Sequence, residues 1–242
     1  MRIAIIAAPN QDKEGFLTDF IKVWQMYTES TFNIDRKQFE AFDNKVDMEK
    51  LQQIVQDSVI DEMMTHKATD NVIYTYTSLD NLINTLWLST KEENNISQKF
   101  VEKSFKLTHI SLTFLDLIIF LPKLEKYKVR VQSEFEDEEI NKLDEMYTDE
   151  INNLFLAVQE SYNKGDSNIF PFETVEGSPA LIEIFGTPEE RIQMTKLYLD
   201  VDGQPFGKKS SDSLIQLPNI EEQGIIDRIV AQTSEKPIKV TH

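Results

Sequence analysis

The residues best placed to do chemistry lie near the start of the chain. Asp12, Lys13 and Glu14 follow an apolar run, Ile3 to Ala8, and precede the helix-spaced Phe16, Leu17 and Phe20. A buried strand, a short turn through Pro9, Asn10 and Gln11, and an amphipathic helix would bring the unpaired N–H groups of a helix start to one point. Such a point suits an anion, and phosphate above all. Lys13 would add positive charge there, whereas Asp12 and Glu14 would oppose the ligand. At ~4 Å and an effective dielectric of ~20, each like-charge pair costs on the order of 4 kcal/mol. A single lysine cannot offset two such carboxylates.

Other chemistries are excluded or left without support. The chain has 242 residues and no cysteine, which removes disulfides and thiolate catalysis. His66, His109 and His242 are scattered without ligand spacing, so no metal site is expected. The formal net charge is −17 with a pI near 4.6. A field of that sign repels nucleic acid and anionic membrane. The densest basic run, Lys123, Lys126, Lys128 and Arg130, is followed by the acidic stretch Glu134 to Glu139. The plain reading of the acidity is solubility; the sharper one is a protein partner with a basic face, or nucleic-acid mimicry. The longest apolar run, around Leu117 to Leu121, is far shorter than the ~20 residues of a spanning helix. The N-terminal run is too short for a secretory signal. The expectation is a cytoplasmic protein, with no membrane and no nucleic-acid partner, in which a homo-oligomer is allowed.

The elements that must position the first loop follow from periodicity. Residues 3–8 read as a strand buried on both faces. Residues 14–27 carry one apolar helical face. Phe32 and Ile34 alternate as a short edge strand would. Asp47 reads as the cap of a helix running to about His66. Residues 71–77 are β-branched and aromatic, hence a strand, with Ser78 as the cap of a well-buried helix through Leu88. A helix over 97–113, a strand over 115–121 stopped by Pro122, and a long helix over 136–163 follow, the last ended by Gly165. Residues 180–185 form the last strand. Thr187, Pro188, Glu189 and Glu190 open a helix to about Leu199 with a cap, a first-position proline and first-turn acids. Residues 1–200 thus form an α/β domain with a mostly parallel sheet of five strands covered on both faces. Residues 201–242 form a loop-rich extension with room for a short helix at about 219–231 and a tail.

Four stretches resemble the P-loop nucleoside and nucleotide kinases, in particular their thymidylate-kinase-like and NadR-like branch with its phage-encoded AAA-type members. Ile3 to Phe16 sits at the phosphate loop. Val72 to Asn81 is similar to the strand that ends in an Asp-Arg-Ser-x-x-Asp-Asn motif. Leu115 to Pro122 resembles a strand ending in Leu-Pro, and Leu181 to Arg191 resembles the last strand, Gly-Thr turn and Glu-Arg helix start. The resemblance implies a three-layer α/β/α fold, with ATP and Mg²⁺ as cofactors if the protein is active.

The same resemblance marks what has been lost. In the pattern G-x-x-x-x-G-K-[ST] the glycines let backbone wrap phosphate, the lysine binds it and the hydroxyl holds the metal. Here those positions are Ala7, Asp12, Lys13 and Glu14, with Asn10 inside the loop; only the lysine is kept. The acid of the second motif falls at Thr75 and its arginine at Tyr76, while Asp80 and Asn81 match. Arg130 stands where a lid-side arginine often lies, and Arg191 matches the last helix. Each has a plainer reading. Lys13 would be a solvated turn lysine, Asp80 a stabiliser of its helix's first turn, Arg130 a surface cation and Arg191 a structural ion-pair partner. Tyr74, Tyr76 and Trp87 would be core residues rather than a base-stacking platform.

Three functions are compatible with this pattern. The first is a kinase-fold pseudoenzyme that binds, regulates or assembles, with no cofactor. The second is an active nucleoside or nucleotide kinase, or an NTPase, in which Lys13 neutralises phosphate, Asp80 is the base and Arg130 or Arg191 clamps the phosphate. The third is an interaction module of viral origin, suggested by high Asn, Lys, Glu and Ile usage, found in the host cytoplasm or the virion.

Overall fold

A run of apolar residues without alternation must be covered on both sides, and Arg2–Ala7 (β1) lies at the centre of the sheet in the computed structural model. The structure describes residues 1–30, 32, 47–91, 95–124, 138–164 and 178–206. The other strands are β2 (Thr28–Ser30), β3 (Val72–Tyr74), β4 (Leu117–Leu121) and β5 (Ala180–Glu183). They pair in the order β2-β3-β1-β4-β5, and every pairing is parallel. The helices among the described residues are α1 (Lys13–Val23), α2 (Met48–Thr65), α3 (Ser78–Ser89), α4 (Gln98–Leu112), α5 (Glu138–Lys164) and α6 (Pro188–Thr195). α1 packs with α6, and α3 packs among α2, α4 and α5. This is the three-layer α/β/α arrangement expected from the sequence.

β1 sets the register for both halves of the sheet. Ile3 pairs with Ile73 of β3 on one side and with Leu117 of β4 on the other. Ile3, Ile5, Ile73, Ile118 and Ile119 are fully buried. Each contributes roughly 1.5–3 kcal/mol by leaving water, so the central strands fix where the loops at their C-terminal ends can lie. From β1 the chain moves out to β2 and back to β3, then crosses to β4. Neighbouring strands β1 and β3 therefore send their following segments to opposite sides, which opens a crevice above their C-terminal ends.

Several element boundaries differ from the sequence reading. α1 stops at Val23 rather than reaching residue 27, because Trp24 and Tyr27 turn inward instead of continuing the helix face. The Trp24 indole donates to the Asp200 carbonyl at 2.7 Å, and the Tyr27 hydroxyl donates to the Gly203 carbonyl at 2.7 Å. Gly203 has φ 67°, and a Cβ there would lie 2.6 Å from the Tyr27 ring, so the close approach requires glycine. One compact unit spans Met1–Phe206 and includes these residues. The edge strand is Thr28–Ser30, ahead of Phe32, and Ile34 lies outside the described residues. α3 is capped by Thr77, not Ser78: the Thr77 backbone is extended while Ser78 is already helical and buried. α6 ends at Thr195, where a turn leads to the bridge between Leu199 and Pro205. Gly165, Glu134 to the start of α5, the expected helix at 219–231 and the tail lie outside the described residues. No helix among the described residues is long and apolar enough to cross a membrane.

Candidate functional site

The crevice above β1 and β3 has a volume of about 1060 Å³ and receives residues from four directions. The loop after β1 supplies Ala8 to Glu14, the end of β2 supplies Glu29, the segment after β3 supplies Thr75 and Tyr76, and α3 and α5 close the far wall.

The loop after β1 is shaped by two left-handed residues, neither of them glycine. Asn10 (φ 64°) and Asp12 (φ 51°) are both left-handed. Only glycine adopts that region without strain, with Asn and Asp the next best tolerated. Asp12 is the N-cap of α1, and its Oδ1 accepts from the Gly15 backbone N–H at 3.1 Å. The carboxylate folds down onto Gly15 so closely that a Cβ there would meet its oxygens at 2.4 Å. The helix start is thus served by the chain's own anion. Ala7, at the first glycine position of the phosphate-loop pattern, is buried at the end of β1. Glu14 is exposed on the first turn.

Lys13 is not the solvated turn lysine of the plainer reading. Its Nζ donates to the Thr75 carbonyl at 2.8 Å and pairs with Asp80 Oδ1 at 3.2 Å. Asp80 has two roles. Its Oδ2 accepts from the Thr77 N–H at 2.9 Å and from the Thr77 hydroxyl at 2.8 Å, completing a capping box at the start of α3. Its Oδ1 holds Lys13. Asp80 therefore both stabilises its own helix and ties the β1 loop to the β3 end.

Asn81 points elsewhere. It is fully buried, and its Nδ2 donates to Gln56 Oε1 at 2.8 Å and to the Gln52 carbonyl at 3.3 Å, so it joins α3 to α2 rather than facing the crevice. Arg191 supports the loop from behind. It is 3% exposed, and its Nη1 donates to the Gln11 carbonyl at 2.9 Å. Its partner is a loop carbonyl rather than the carboxylate of a direct ion pair. Burial lowers its pKa, and the charge of nearby Asp12 opposes that shift. Arg130 lies outside the described residues.

The aromatics separate. Tyr74 is core, as expected. Trp87 sits on α3 away from the crevice lining, its indole donating to Glu150 at 2.6 Å beneath the Lys91 ammonium. Tyr76 does line the crevice. Its ring stacks on Phe32 with centroids 5.2 Å apart and planes 7° from parallel. Its hydroxyl accepts from Asn84 Nδ2 at 3.2 Å, and the Tyr147 hydroxyl donates to Asn84 Oδ1 at 3.4 Å. Burial raises the Tyr76 pKa above its ordinary value, the Asp80 charge adds to the shift, and the Asn84 bond only partly opposes it. The phenol is therefore neutral at any physiological pH. Phe32, Glu29, Asn84 and Tyr147 were not legible as site residues. Their sequence contexts are an edge strand and two helix faces, and only the crossing of α3, α5 and β2 brings them together.

No family model and no curated protein sequence matches the chain. Among solved structures, a deoxyadenosine kinase from M. mycoides with the products dCMP and a flexible dCDP bound superposes with a TM-score of 0.50 and 19% identity. The match covers 81% of this chain and 98% of that one. The fold is that of a P-loop nucleoside kinase. At this identity the likeness carries the architecture alone.

Proposed function

We propose that this kinase-fold chain is a pseudoenzyme: it has lost phosphoryl transfer and acts as a binding, regulatory or assembly protein, with a protein partner. One observation supports this above the others. The Asp12 carboxylate caps the Gly15 N–H at the start of α1, in the place where a phosphate loop would present backbone N–H groups to its ligand. Lys13, the one motif residue retained, is engaged by Asp80 and the Thr75 carbonyl. Glu14 stands where a neutral hydroxyl would hold the metal ion. The donor set therefore does not fit ATP with Mg²⁺, and no catalytic step is assigned to them. The viral-origin reading of the composition suits a fold kept for assembly after its chemistry has gone.

The test is incubation of the purified chain with Mg²⁺ and ATP against a panel of nucleosides and nucleotides. The expected result is no phosphorylated product and no Mg²⁺-dependent thermal shift with ATP. A phosphorylated product that disappears in Lys13→Ala would overturn the reading.

The openness of the crevice favours a second reading, an active nucleoside or nucleotide kinase with a divergent loop. Lys13 would then release Asp80 to meet phosphate, and Asp80 would act as base. Arg191 would position the loop rather than clamp substrate, since its Nη1 is held on the Gln11 carbonyl. Calorimetric titration with nucleotides separates the two readings, because the second requires saturable binding of a nucleoside triphosphate.

A further inference from the structure

Apolar side chains left in water are not spread evenly over the molecule. Eight large ones are exposed among the described residues, and five of them, Val23, Met26, Leu197, Val201 and Phe206, come from two short segments. Val201, in the turn that follows α6, is 88% exposed. A lone apolar residue on a surface is ordinary, whereas a group of them marks a contact.

The two segments are fastened to each other. α1 follows β1, α6 follows β5, and the two helices pack together, so both end at the edge of the sheet away from the crevice. There the Trp24 indole donates to the Asp200 carbonyl and the Tyr27 hydroxyl to the Gly203 carbonyl, each at 2.7 Å. Gly203 sits against both rings: a Cβ on it would lie 2.6 Å from Tyr27 and 3.3 Å from Trp24. Val23 and Met26 are the chain neighbours of those two anchors, and Val201 is the neighbour of Asp200. The turn also closes on itself. The Asp200 N–H donates to the Gln204 carbonyl at 2.8 Å, and the Phe206 N–H to the Tyr198 carbonyl at 2.9 Å, which sets Phe206 beside the neighbour of Leu197. The buried Trp24 and Tyr27 thus hold the five exposed residues on one corner.

The charge of this corner says what fits it. The chain as a whole carries −17, a field that repels a second copy. At the corner the signs nearly cancel. Lys22 pairs with Asp19 at 2.8 Å, and Asp200 accepts from the N–H groups of Asp202 and Gln204 within its own turn. Lys196 and Asp202 are exposed, and neither has an ion-pair partner among the described residues. An apolar patch bearing one unmatched cation and one unmatched anion is complementary to itself, because in a two-fold pair residue i meets j and j meets i.

We propose that this corner is a self-association surface. Two copies of the chain pair about a two-fold axis, with the five apolar side chains at the centre and Lys196 of each copy facing Asp202 of the other. The inference goes beyond the pseudoenzyme reading and does not rest on it, since the corner lies away from the crevice.

The experiment is sedimentation of the full chain over a range of micromolar concentrations. A reversible monomer–dimer equilibrium is expected. Val201→Asp/Phe206→Asp should raise the dimer dissociation constant at least about tenfold. Both residues are exposed, so the melting temperature of the dilute monomer should not change, which checks folding. Lys196→Asp alone should also weaken the dimer. Lys196→Asp/Asp202→Lys, which keeps the net charge, should restore it. Three results overturn the proposal: a monomer at every concentration, a dimer indifferent to Val201→Asp/Phe206→Asp, or a double charge swap as weak as the single change. ATP-dependent phosphorylation would remove the pseudoenzyme reading and leave this inference standing.

Discussion

The starts of α1 and α6 make an instructive pair, because the two helices pack together yet begin in opposite ways. α6 begins by the common rules. Thr187 is extended, Pro188 follows, and Glu190 returns its carboxylate to the Thr187 N–H at 2.7 Å to complete a capping box. α1 begins on a left-handed aspartate, without a box, at the rim of an open crevice. The α6 start is closed by its own capping box, and Arg191 in its first turn reaches the Gln11 carbonyl of the α1 loop. At the α1 start the left-handed Asp12 lays its own carboxylate on the Gly15 N–H.

The contrast can be broken at the residue that joins the two starts. Arg191→Ala removes a buried cation of α6 and leaves the Gln11 carbonyl without its donor. A loss of about 3 kcal/mol is expected, read as a fall of roughly 10 °C in melting temperature. Asp80→Ala comes next. It removes the α3 capping box and strands half-buried Lys13, for an expected loss of about 2 kcal/mol by urea unfolding. Thr187→Ala tests the regular start by itself and should cost about 1 kcal/mol in the same assay.

The smallest effect is the sharpest. Asp12→Gly also deletes a cap, but at φ 51° glycine relieves backbone strain, so stability should change by less than about 0.5 kcal/mol. If Asp12→Gly costs as much as Thr187→Ala, the α1 start is an ordinary cap and the comparison fails. Gly15→Ala completes a double-mutant cycle. Alone, its Cβ collides with the Asp12 carboxylate and cancels the gain in helix propensity. In the Asp12→Gly background the same change should stabilise by about 1 kcal/mol, and additivity of the two would show that the carboxylate does not sit on Gly15.

The unbroken apolar strings Ile3 to Ala8 and Leu117 to Leu121 announced central parallel strands, since no other environment buries both faces of a strand. Asp47 and Thr187 likewise declared helix starts, because capping is a local bargain between one side chain and the next three N–H groups. The short edge strand escaped detection at Thr28–Ser30: three residues carry too little pattern, and its pairing with β3 is decided across the sheet. Lys13 and Asp80 were both visible as candidates, but their pairing across 67 residues was not. Asn81 matched a motif in sequence and proved to serve the α2–α3 contact.

The residues by themselves determined the class of fold, the central position of the first strand and the place of the loop, because periodicity and burial act over a few neighbouring residues. They also determined that residues 7–14 hold no glycine and carry two carboxylates, Asp12 and Glu14, beside Lys13. Tertiary structure alone decided where those charges go. Asp12 turns onto Gly15 because the backbone there is left-handed, and Lys13 swings to Asp80 because β3 lies beside β1. The same packing gathers Glu29, Phe32, Tyr76, Asn84 and Tyr147 around one crevice. These contacts join parts of the chain brought together by strand order, and strand order is a property of the whole sheet rather than of any stretch within it.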